Sequence, residues 1–421
     1  MASAKETYAR LLARLGPGFV TGTSDDDPSA IGTYSQAGAQ FGLSQLWLAL
    51  FTFPLMVAIQ DMCGRIGAVT GLGLAGVIRR HYARPILYFI VALQVVTNTI
   101  NIGADLSAMA QSGQLLWPVH YVVWLAMTTA VTISLIVVIP YRAYAPYLKF
   151  LGLTLFTYVA AAFTVKADWR SVLSATFVPT FRFDKTFLLG FTAVLGTTIS
   201  PYEFFWQSNE EVEELVDERA ISHEGERPPK RAVDLTFLRW DTIFGMFFSN
   251  AVMYCIILVA GTTLHGHGIT SIDTAAKAAQ ALRPFAGPLT FWLFAIGIIS
   301  AGLLSIPVMA ASSAYAVGGA LDWKRSLARP FSAEPNFYLV IIGSSLVGLL
   351  TNLLPIQPFK LLFYTAVLNG IIAPPLLFVV LRIANNRQIM GENTNAPAAN
   401  VLGWGLLVLM MLSLVALVVY S

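Results

Sequence analysis

Three consecutive carboxylates inside an apolar stretch constrain this chain more than any other feature. Asp25, Asp26 and Asp27 precede Pro28 in a segment, about residues 19–50, that carries little other charge. A charge at the centre of a bilayer costs about 2.5–3.5 kcal/mol even on the most lenient scale. Pro28 also removes a backbone donor and disfavours helix at Asp27. The segment can therefore cross a membrane only if its helix breaks here, and a broken helix is typical of an ion site.

The composition indicates a polytopic membrane protein. Of the 421 residues 56% are hydrophobic and 12% are charged, whereas soluble domains carry about 25% charged residues. No room is left for a sizeable soluble domain, and the sequence has no Ser/His/Asp set, HExxH motif or Gly-rich phosphate loop. We expect one transmembrane transporter domain over residues 1–421 that is not an enzyme, needs no cofactor and binds no nucleic acid.

Eleven stretches are long and apolar enough to cross a bilayer, at about 20 residues per helix. We number them spans 1 to 11. They are residues 17–42, 44–67, 84–112, 118–140, 145–165, 185–208, 238–263, 285–317, 336–354, 359–383 and 399–420.

Lys and Arg are distributed unevenly between the loops on the two sides. With the N-terminus inside, 19 of the 26 basic residues are cytoplasmic and 7 lie outside. The positive-inside rule therefore predicts a cytoplasmic N-terminus and an outer C-terminus. Residues 1–15 show no cleavable signal pattern, so we expect a multi-pass protein of the cell inner (plasma) membrane.

A second proline-centred break interrupts span 6. Thr197, Thr198, Ser200 and Glu203 surround Pro201 in an otherwise apolar stretch. Paired breaks in spans 1 and 6 predict two inverted five-helix repeats with a midplane site between them. The repeats are expected at about residues 17–165 and 185–383, with an extra helix at 399–420.

The two breaks offer only oxygen ligands. We expect Asp27 to bind an ion, with Asp26 as a second ligand and Asp25 on the ion path, although an aspartate here can also cap the following helix. Carboxylate, carbonyl and water suit Mg, Ca and Mn, and Mg²⁺ keeps several of its waters. With no Met, Cys or His in either break, the sequence predicts a roomy site for a partly hydrated Mg²⁺ ion.

Two further polar regions have positions that suggest a role. In span 3, Gln94, Asn98, Asn101 and Asp105 share one helical face, which we expect to point inward. The connection at residues 209–234 begins with four glutamates and is interpreted as a solvated cytoplasmic loop. An acidic vestibule that collects cations is the alternative for this connection.

Several motifs lie along nearly the whole chain, namely Gly16-Pro17-Gly18-Phe19, Asp27-Pro28, Gln36-Ala37-Gly38-Ala39, Arg65-Ile66-Gly67, Val69-Thr70-Gly71, Asp105-Leu106, Arg239-Trp240-Asp241-Thr242, Phe294-Ala295-Ile296-Gly297 and Ala301-Gly302. Together they resemble those of the Nramp family of divalent metal transporters. The resemblance implies a fold similar to that of the amino-acid transporter LeuT, with two inverted five-helix repeats and an eleventh helix.

The chain departs from the family pattern at its ligand positions. Ala30 stands where the family motif Asp-Pro-Gly-Asn has its Asn, and Ser200-Pro201-Tyr202 stands where span 6 has Met-Pro-His. Gln207 replaces a second histidine, and Ala366 replaces the Gln of span 10. The resemblance then implies Asp27 and the carbonyls of Ser24 and Thr197 as ligands, with Ser200 as a replacement ligand.

The same departures, with the Asp-Asp-Asp-Pro-Ser run, look like the Nramp-related magnesium transporter branch. That branch is implied to carry Mg²⁺ and Mn²⁺ without obligatory proton coupling. Of the family's acidic proton-path positions in span 3, which read Asn98, Asp105 and Ala108, only Asp105 stays acidic. Tyr202, Ala30 and Ala366 are expected to line the cavity, together with Asn98, Asn101, Thr198 and Glu203.

Three alternatives remain open. A proton-coupled Mn²⁺ or Fe²⁺ carrier could use Asp26 and Asp105. A LeuT-like carrier of organic solutes would be expected to have more Gly and exposed amides at the break. An intramembrane enzyme or metal sensor lacks catalytic motifs and an output domain. We expect a monomer whose partners are the lipid bilayer and a divalent ion as its substrate.

Overall fold

The computed structural model describes residues 16–139, 153–229, 233–353 and 355–420, and within these ranges its regular structure is helical, without strands. Short 3₁₀ turns lie at Leu153–Leu155, His265–His267, Gln280–Leu282, Gly287–Leu289 and Leu350–Leu353. The α-helices are α1 (Pro17–Ser24), α2 (Pro28–Phe41), α3 (Trp47–Thr70), α4 (Leu74–His81), α5 (Arg84–Leu116), α6 (Tyr121–Val138), α7 (Phe156–Thr164), α8 (Trp169–Phe177), α9 (Lys185–Thr198), α10 (Pro201–Asp217), α11 (Leu235–Thr263), α12 (Ala275–Ala279), α13 (Arg283–Ala286), α14 (Thr290–Leu321), α15 (Pro335–Leu349), α16 (Pro358–Ala384), α17 (Arg387–Met390) and α18 (Pro397–Val419).

The helices match the predicted spans closely. Eight helices in the described ranges are long and apolar enough to cross a membrane, and they correspond to spans 2 to 4 and 7 to 11. Spans 1 and 6 are each divided into two helices, α1 with α2 and α9 with α10, which confirms the two predicted breaks. The first part of span 5, residues 145–152, lies outside the described residues, as does the N-terminal segment 1–15.

Both breaks have the same local cause. Asp27 is extended, with φ −69° and ψ 171°, and Pro28 begins α2. Ser200 is also extended, with φ −72° and ψ 117°, and Pro201 begins α10. The residue before a proline is pushed out of the helical region, whereas proline itself is tolerated at the first helical position because its missing N–H needs no partner there.

The short helix α1 is anchored at its start. At its start, Asp241 of α11 accepts hydrogen bonds from the backbone N–H groups of Gly16 at 2.9 Å, Gly18 at 2.7 Å and Phe19 at 3.2 Å. A carboxylate is favourable at a helix N-terminus because the first N–H groups there lack helical partners. Asp241 therefore ties α1 to α11.

The four half-helices are enclosed by the longer ones. Helices α1 and α2 pack against α11, α10 packs against α3, and α9 packs against α16, while α5 and α14 pack together. Of the 14 residues of α2, 12 are buried, so its polar side chains face protein rather than lipid. The exposed surface is in contrast strongly apolar, as expected of a lipid-facing surface; examples are Phe51, Phe89, Phe163, Trp240 and Val401.

Residues expected to be cytoplasmic meet on one face of the molecule. Arg65 donates to Asn393 and Asn395 in the connection before α18. Arg227 donates to the carbonyl of Ile389, which lies in α17. Arg79 pairs with Asp322, and Arg325 pairs with Glu224. These contacts bring several of the predicted cytoplasmic connections together, and the orientation of this face in the membrane stays a prediction.

The prediction of a solvated loop from residue 209 onward is wrong for its first part. Helix α10 continues to Asp217, and Glu210 and Glu211 are buried. Tyr315 of α14 donates hydrogen bonds to Glu210 and Glu213, and Gln207 donates to Glu211 at 2.8 Å. Since Tyr315 of α14 and Gln207 of α10 itself supply these donors, the glutamates continue the helix instead of entering solvent.

The close approach of α1 to α11 predicts a strong effect of one methyl group. A Cβ added at Gly22 would overlap the backbone of Gly245. Overpacking of this kind costs about 1–3 kcal/mol, so Gly22→Ala should lower the Tm of the detergent-purified protein. Gly297→Ala in α14 is the matched control because the added methyl would meet nothing within 4 Å. Equal Tm values for both variants would contradict this packing.

Candidate metal site

The three aspartates between α1 and α2 occupy different environments. Asp27 caps α2, since its Oδ1 accepts a hydrogen bond of 2.6 Å from the N–H of Ala30. Ser249 of α11 donates to Asp25 Oδ2 at 2.7 Å. Both carboxylate oxygens of Asp26 are buried and have no hydrogen-bond partner among the described residues. Helix capping accounts for Asp27 alone, so Asp25 and Asp26 need a different explanation.

Two hydroxyl groups at the second break donate hydrogen bonds to backbone carbonyls. Ser200 donates to the carbonyl of Thr197 at 2.7 Å, so two predicted ligands contact each other. Tyr202 donates through its hydroxyl to the carbonyl of Ser24 at 2.8 Å, and this bond links α10 to the end of α1. The two breaks are therefore brought together, and the carbonyls expected to bind an ion accept hydrogen bonds from the neighbouring side chains.

Glu203 lies one turn into α10 and is fully buried. Gln60 of α3 donates to its Oε2 at 2.7 Å, whereas its Oε1 has no partner among the described residues. Glu203 is close enough to Asp25, Asp26 and Asp27 to interact with them electrostatically. Four acidic side chains from the two breaks are thus gathered in one buried region, at the position where the sequence predicts the ion site.

The polar face of span 3 is buried, as predicted, but its members have separate roles. Asn98 donates to the carbonyl of Met309 and to Ser313, both at 3.0 Å, and so joins α5 to α14. Asn101 donates to Asn369 of α16 at 3.0 Å. Asp105 has two buried carboxylate oxygens without a partner among the described residues, and it interacts electrostatically with Asp27.

The remaining predicted cavity residues are buried near the two breaks. Thr198 is hydrogen-bonded to the hydroxyl of Tyr34 at 2.9 Å and also approaches Met253 Sδ at 3.6 Å. Ala30 and Ala366 are fully buried, and the Ala366 backbone lies against Gly196 of α9. A thioether from α11 therefore reaches a break that itself contains none.

Sequence reasoning missed the partners that come from other helices. Gln60, Ser249 and Tyr34 contact the two breaks from α3, α11 and α2. Each lies beside another polar residue of its own span, and such residues are a weak signal because Ser and Thr often bond within their own helix in membranes. Gln60 gives the strongest sequence signal of the three, because a long amide side chain in a membrane span needs a hydrogen-bond partner.

On the face with the basic loops, a cavity of about 700 Å³ opens beside α10. Its lining includes Glu213, Tyr315, Glu224 and Arg325. Burial raises the pKa of the Glu224 carboxyl, and the Arg325 guanidinium opposes this rise. A cavity therefore exists beside the connection where the sequence allowed an acidic vestibule, but its lining contains both acidic and basic side chains.

The arrangement suits an ion that brings much of its own ligand shell. Within the described ranges, no three His, Cys, Asp or Glu side chains converge as a ready-made metal site. Asp25 Oδ1, both oxygens of Asp26 and Glu203 Oε1 lack hydrogen-bond donors among the described residues. A buried charge without a partner is costly. One or two carboxylates with retained water is the usual way in which proteins hold Mg²⁺.

The sequence is similar to those of known proteins over almost its whole length. Residues 18–420 match the family described as natural resistance-associated macrophage protein-like, or Nramp. A divalent metal cation transporter, MntH, of Klebsiella pneumoniae strain 342 is 26% identical over 401 residues, which are 93% of this chain and 90% of that protein. The MntH of Mycobacterium leprae is also 26% identical, over 99% of this chain and 95% of its own length.

Solved structures resemble the fold. A crystal structure of the manganese transporter of Eremococcus coleocola has a TM-score of 0.74 at 17% identity, covering 99% of this chain and 88% of that one. The nucleobase-cation symporter Mhp1 in a closed conformation has a TM-score of 0.60 at 12% identity, covering 96% and 92%. At these identities the likeness concerns the fold alone, and it agrees with the predicted architecture.

The hydroxyl of Tyr202 provides a test of how the breaks are joined. Tyr202→Phe removes the bond to the Ser24 carbonyl and should cost about 1 kcal/mol of stability. We expect a lower Tm in ion-free buffer and a smaller difference from wild type when Mg²⁺ or Mn²⁺ is added, because an ion can then satisfy the carbonyl. Tyr88→Phe, at an exposed position in α5, is the control. A Tm for Tyr202→Phe that equals wild type without ions would contradict the bond.

Proposed function

Because the chain belongs to the natural resistance-associated macrophage protein-like (Nramp) family, we propose that it carries divalent metal ions across the membrane by alternating access. The protein acts as a monomer in the cell inner membrane, with its N-terminus in the cytoplasm and its C-terminus outside. Its relatives named MntH are divalent metal cation transporters. The donor-poor cluster of buried carboxylates between the two helix breaks is the observation that carries the proposal.

The ion is held between the two breaks. Asp27 keeps its cap to Ala30 through Oδ1 and offers its other oxygen to the ion. The carbonyls of Ser24 and Thr197 lie at the C-terminal ends of α1 and α9, where helix carbonyls carry partial negative charge. Ser200 and Asp26 complete the set, through water where they do not touch the ion directly.

Mg²⁺ is the favoured cargo, and Mn²⁺ is also carried. The related structure belongs to a manganese transporter, whereas this chain has Ser200, Tyr202 and Gln207 at positions where the family resemblance implies Met and His. Thioether and imidazole favour later transition metals, and oxygen favours Mg²⁺. Met253, which approaches Thr198, leaves one soft atom nearby and fits a site that still accepts Mn²⁺.

The membrane potential alone can drive this uptake. It supplies about 2.3 kcal/mol per charge per 100 mV, or about 4.6 kcal/mol for a divalent ion. At about 1.4 kcal/mol per tenfold change, this corresponds to more than three powers of ten in concentration. No proton is needed as a driving ion, which fits the non-acidic residues at Asn98 and Ala108.

The competing function is proton-coupled transport of Mn²⁺ or Fe²⁺. Two observations favour it: Asp26 and Asp105 are buried, and neither has a hydrogen-bond partner among the described residues. A carboxylate in this condition inside a membrane protein is a common element of proton relays. The two functions differ in whether acid enters with the metal.

Uptake into proteoliposomes that contain an Mg²⁺ dye, with a pH dye in a parallel sample, separates the two functions. We expect Mg²⁺ to enter under an inside-negative potential without acidification of the lumen. Protein-free liposomes with the same potential are the control. Entry of Mn²⁺ but not Mg²⁺, accompanied by acid, would overturn the proposal in favour of the proton-coupled carrier.

Asp27→Asn isolates the charge of the main ligand. Asparagine is also a good helix cap, so α2 should still begin at Pro28 and the fold should be kept. We expect uptake to fall to the level of protein-free liposomes while the Tm stays near that of wild type. Glu218→Gln, which changes an exposed carboxyl after α10, should transport normally. Wild-type uptake by Asp27→Asn would remove this residue from the site.

Ser200→Met tests the basis of selectivity. A thioether at this position adds a soft ligand and removes a hard one, so uptake of Mn²⁺ and Cd²⁺ should rise relative to Mg²⁺. The ratio of initial rates at equal ion concentrations gives the readout, and Ser200→Ala serves as the control that removes the hydroxyl without adding sulfur. An unchanged ratio in Ser200→Met would mean that Ser200 does not contact the ion.

A further inference from the structure

The buried region between the breaks has far more hydrogen-bond acceptors than donors. Asp25 Oδ1, both oxygens of Asp26, Glu203 Oε1 and Gln60 Oε1 are all buried and lack a hydrogen-bond partner among the described residues. Native proteins pair nearly all such groups. Every one of these five atoms is an acceptor, so what the region lacks is positive charge or a donor.

The number of carboxylates exceeds what one divalent ion can neutralise. Asp25, Asp26, Asp27 and Glu203 interact with one another electrostatically, and together they carry four negative charges when ionised. One Mg²⁺ balances two of them. The ion pairs among the described residues involve none of these four carboxylates. Uncompensated charges in a dry interior are strongly unfavourable, so more positive charge is required.

Three of the unpartnered oxygens belong to side chains that each make one other hydrogen bond. Gln60 donates to Glu203 at 2.7 Å, which fixes the amide beside the carboxylate. Ser249 holds the other oxygen of Asp25 at 2.7 Å. Gln60 Oε1, Glu203 Oε1 and Asp25 Oδ1 therefore belong to side chains that are already oriented by one bond each, from α3, α10 and the first break.

We propose that Asp25, Gln60 and Glu203 form a second cation subsite, distinct from the transported ion at Asp27, that binds a small hard cation. The proposal rests on the function proposed above. Carboxylate and amide oxygens are ligands for Na⁺-like and Mg²⁺-like ions rather than for soft metals. Asp26 lies between Asp25 and Asp27 in sequence, and its negative charge helps to neutralise a cation bound at either site.

A cation at this subsite would balance the negative charge of the cluster. With a second cation bound, the first break can keep three aspartates ionised and the cargo ion meets a site of nearly balanced charge. Without it, the cargo would be held by an excess of two negative charges and would leave slowly. The second cation therefore sets how tightly Asp27 holds its ion, and release toward either side becomes possible.

The test uses the full chain purified in detergent, with the cargo site removed by Asp27→Asn. Its Tm is measured while NaCl or MgCl₂ replaces N-methylglucamine chloride at constant ionic strength and pH, because a cation that binds only the native state raises the Tm. We expect one of the two salts to stabilise Asp27→Asn in a saturable manner. The salt that does so identifies the class of the second ion.

Adding Glu203→Gln to Asp27→Asn should weaken the apparent affinity of that cation at least about tenfold, as loss of a metal-site residue commonly does. Asp25→Asn is the second variant if the first does not fold, and Glu218→Gln on the same background is the matched control that keeps the affinity. If Asp27→Asn responds to neither salt, or if Glu203→Gln and Asp25→Asn leave the response unchanged, the second subsite is overturned and protons are the missing charge.

The two proposals fail in different ways. If wild-type liposomes take up no divalent ion, the proposed function is wrong, while the salt titration of Asp27→Asn still decides the second subsite. If uptake is normal and Asp27→Asn shows no saturable stabilisation, the transport function stands and only the second subsite is lost.

Discussion

Backbone and carboxylate groups exposed at the two helix breaks must find partners in an interior that contains little water, and the rest of the structure follows this requirement. Each break consists of an extended residue followed by a proline that begins the next half-helix. The freed groups are then met from other helices. Tyr202 bonds the carbonyl of Ser24, and Gln60 bonds Glu203. Helices α3, α5, α11, α14 and α16 enclose the half-helices and keep lipid away.

The attachment of α1 to α11 also limits how these two helices can move relative to each other. Helix α1 is short, it is tied to α11 through the three bonds of Asp241, and it packs so closely there that Gly22 has no room for a side chain. A carrier that opens alternately to two sides has to move its half-helices relative to the surrounding frame. Under the proposed alternating access, α1 and α11 are therefore expected to move as one body.

The carboxylates of the first break have more than one task, and this explains why three are present. Asp27 caps α2 and is the proposed ligand of the cargo ion, Asp25 is held by Ser249, and Asp26 has no partner among the described residues. A single cap would have required only one of them. Their excess charge is compatible with a membrane interior only when cations or protons balance it, so the proposed ion binding would also stabilise the fold.

The sequence alone determined the helical class, the two breaks and their chemistry, because proline geometry and the cost of charge in lipid act locally. It also predicted that Asp105 and its neighbours in span 3 face inward, since helical periodicity fixes a face. Only the tertiary structure decided the partners. Gln60, Ser249 and Tyr315 come from distant spans, and their contacts depend on how the helices pack. The buried glutamates of α10 show the same limit: their charge predicted a solvated loop, and donors from α14 and from Gln207 allow a buried helix instead.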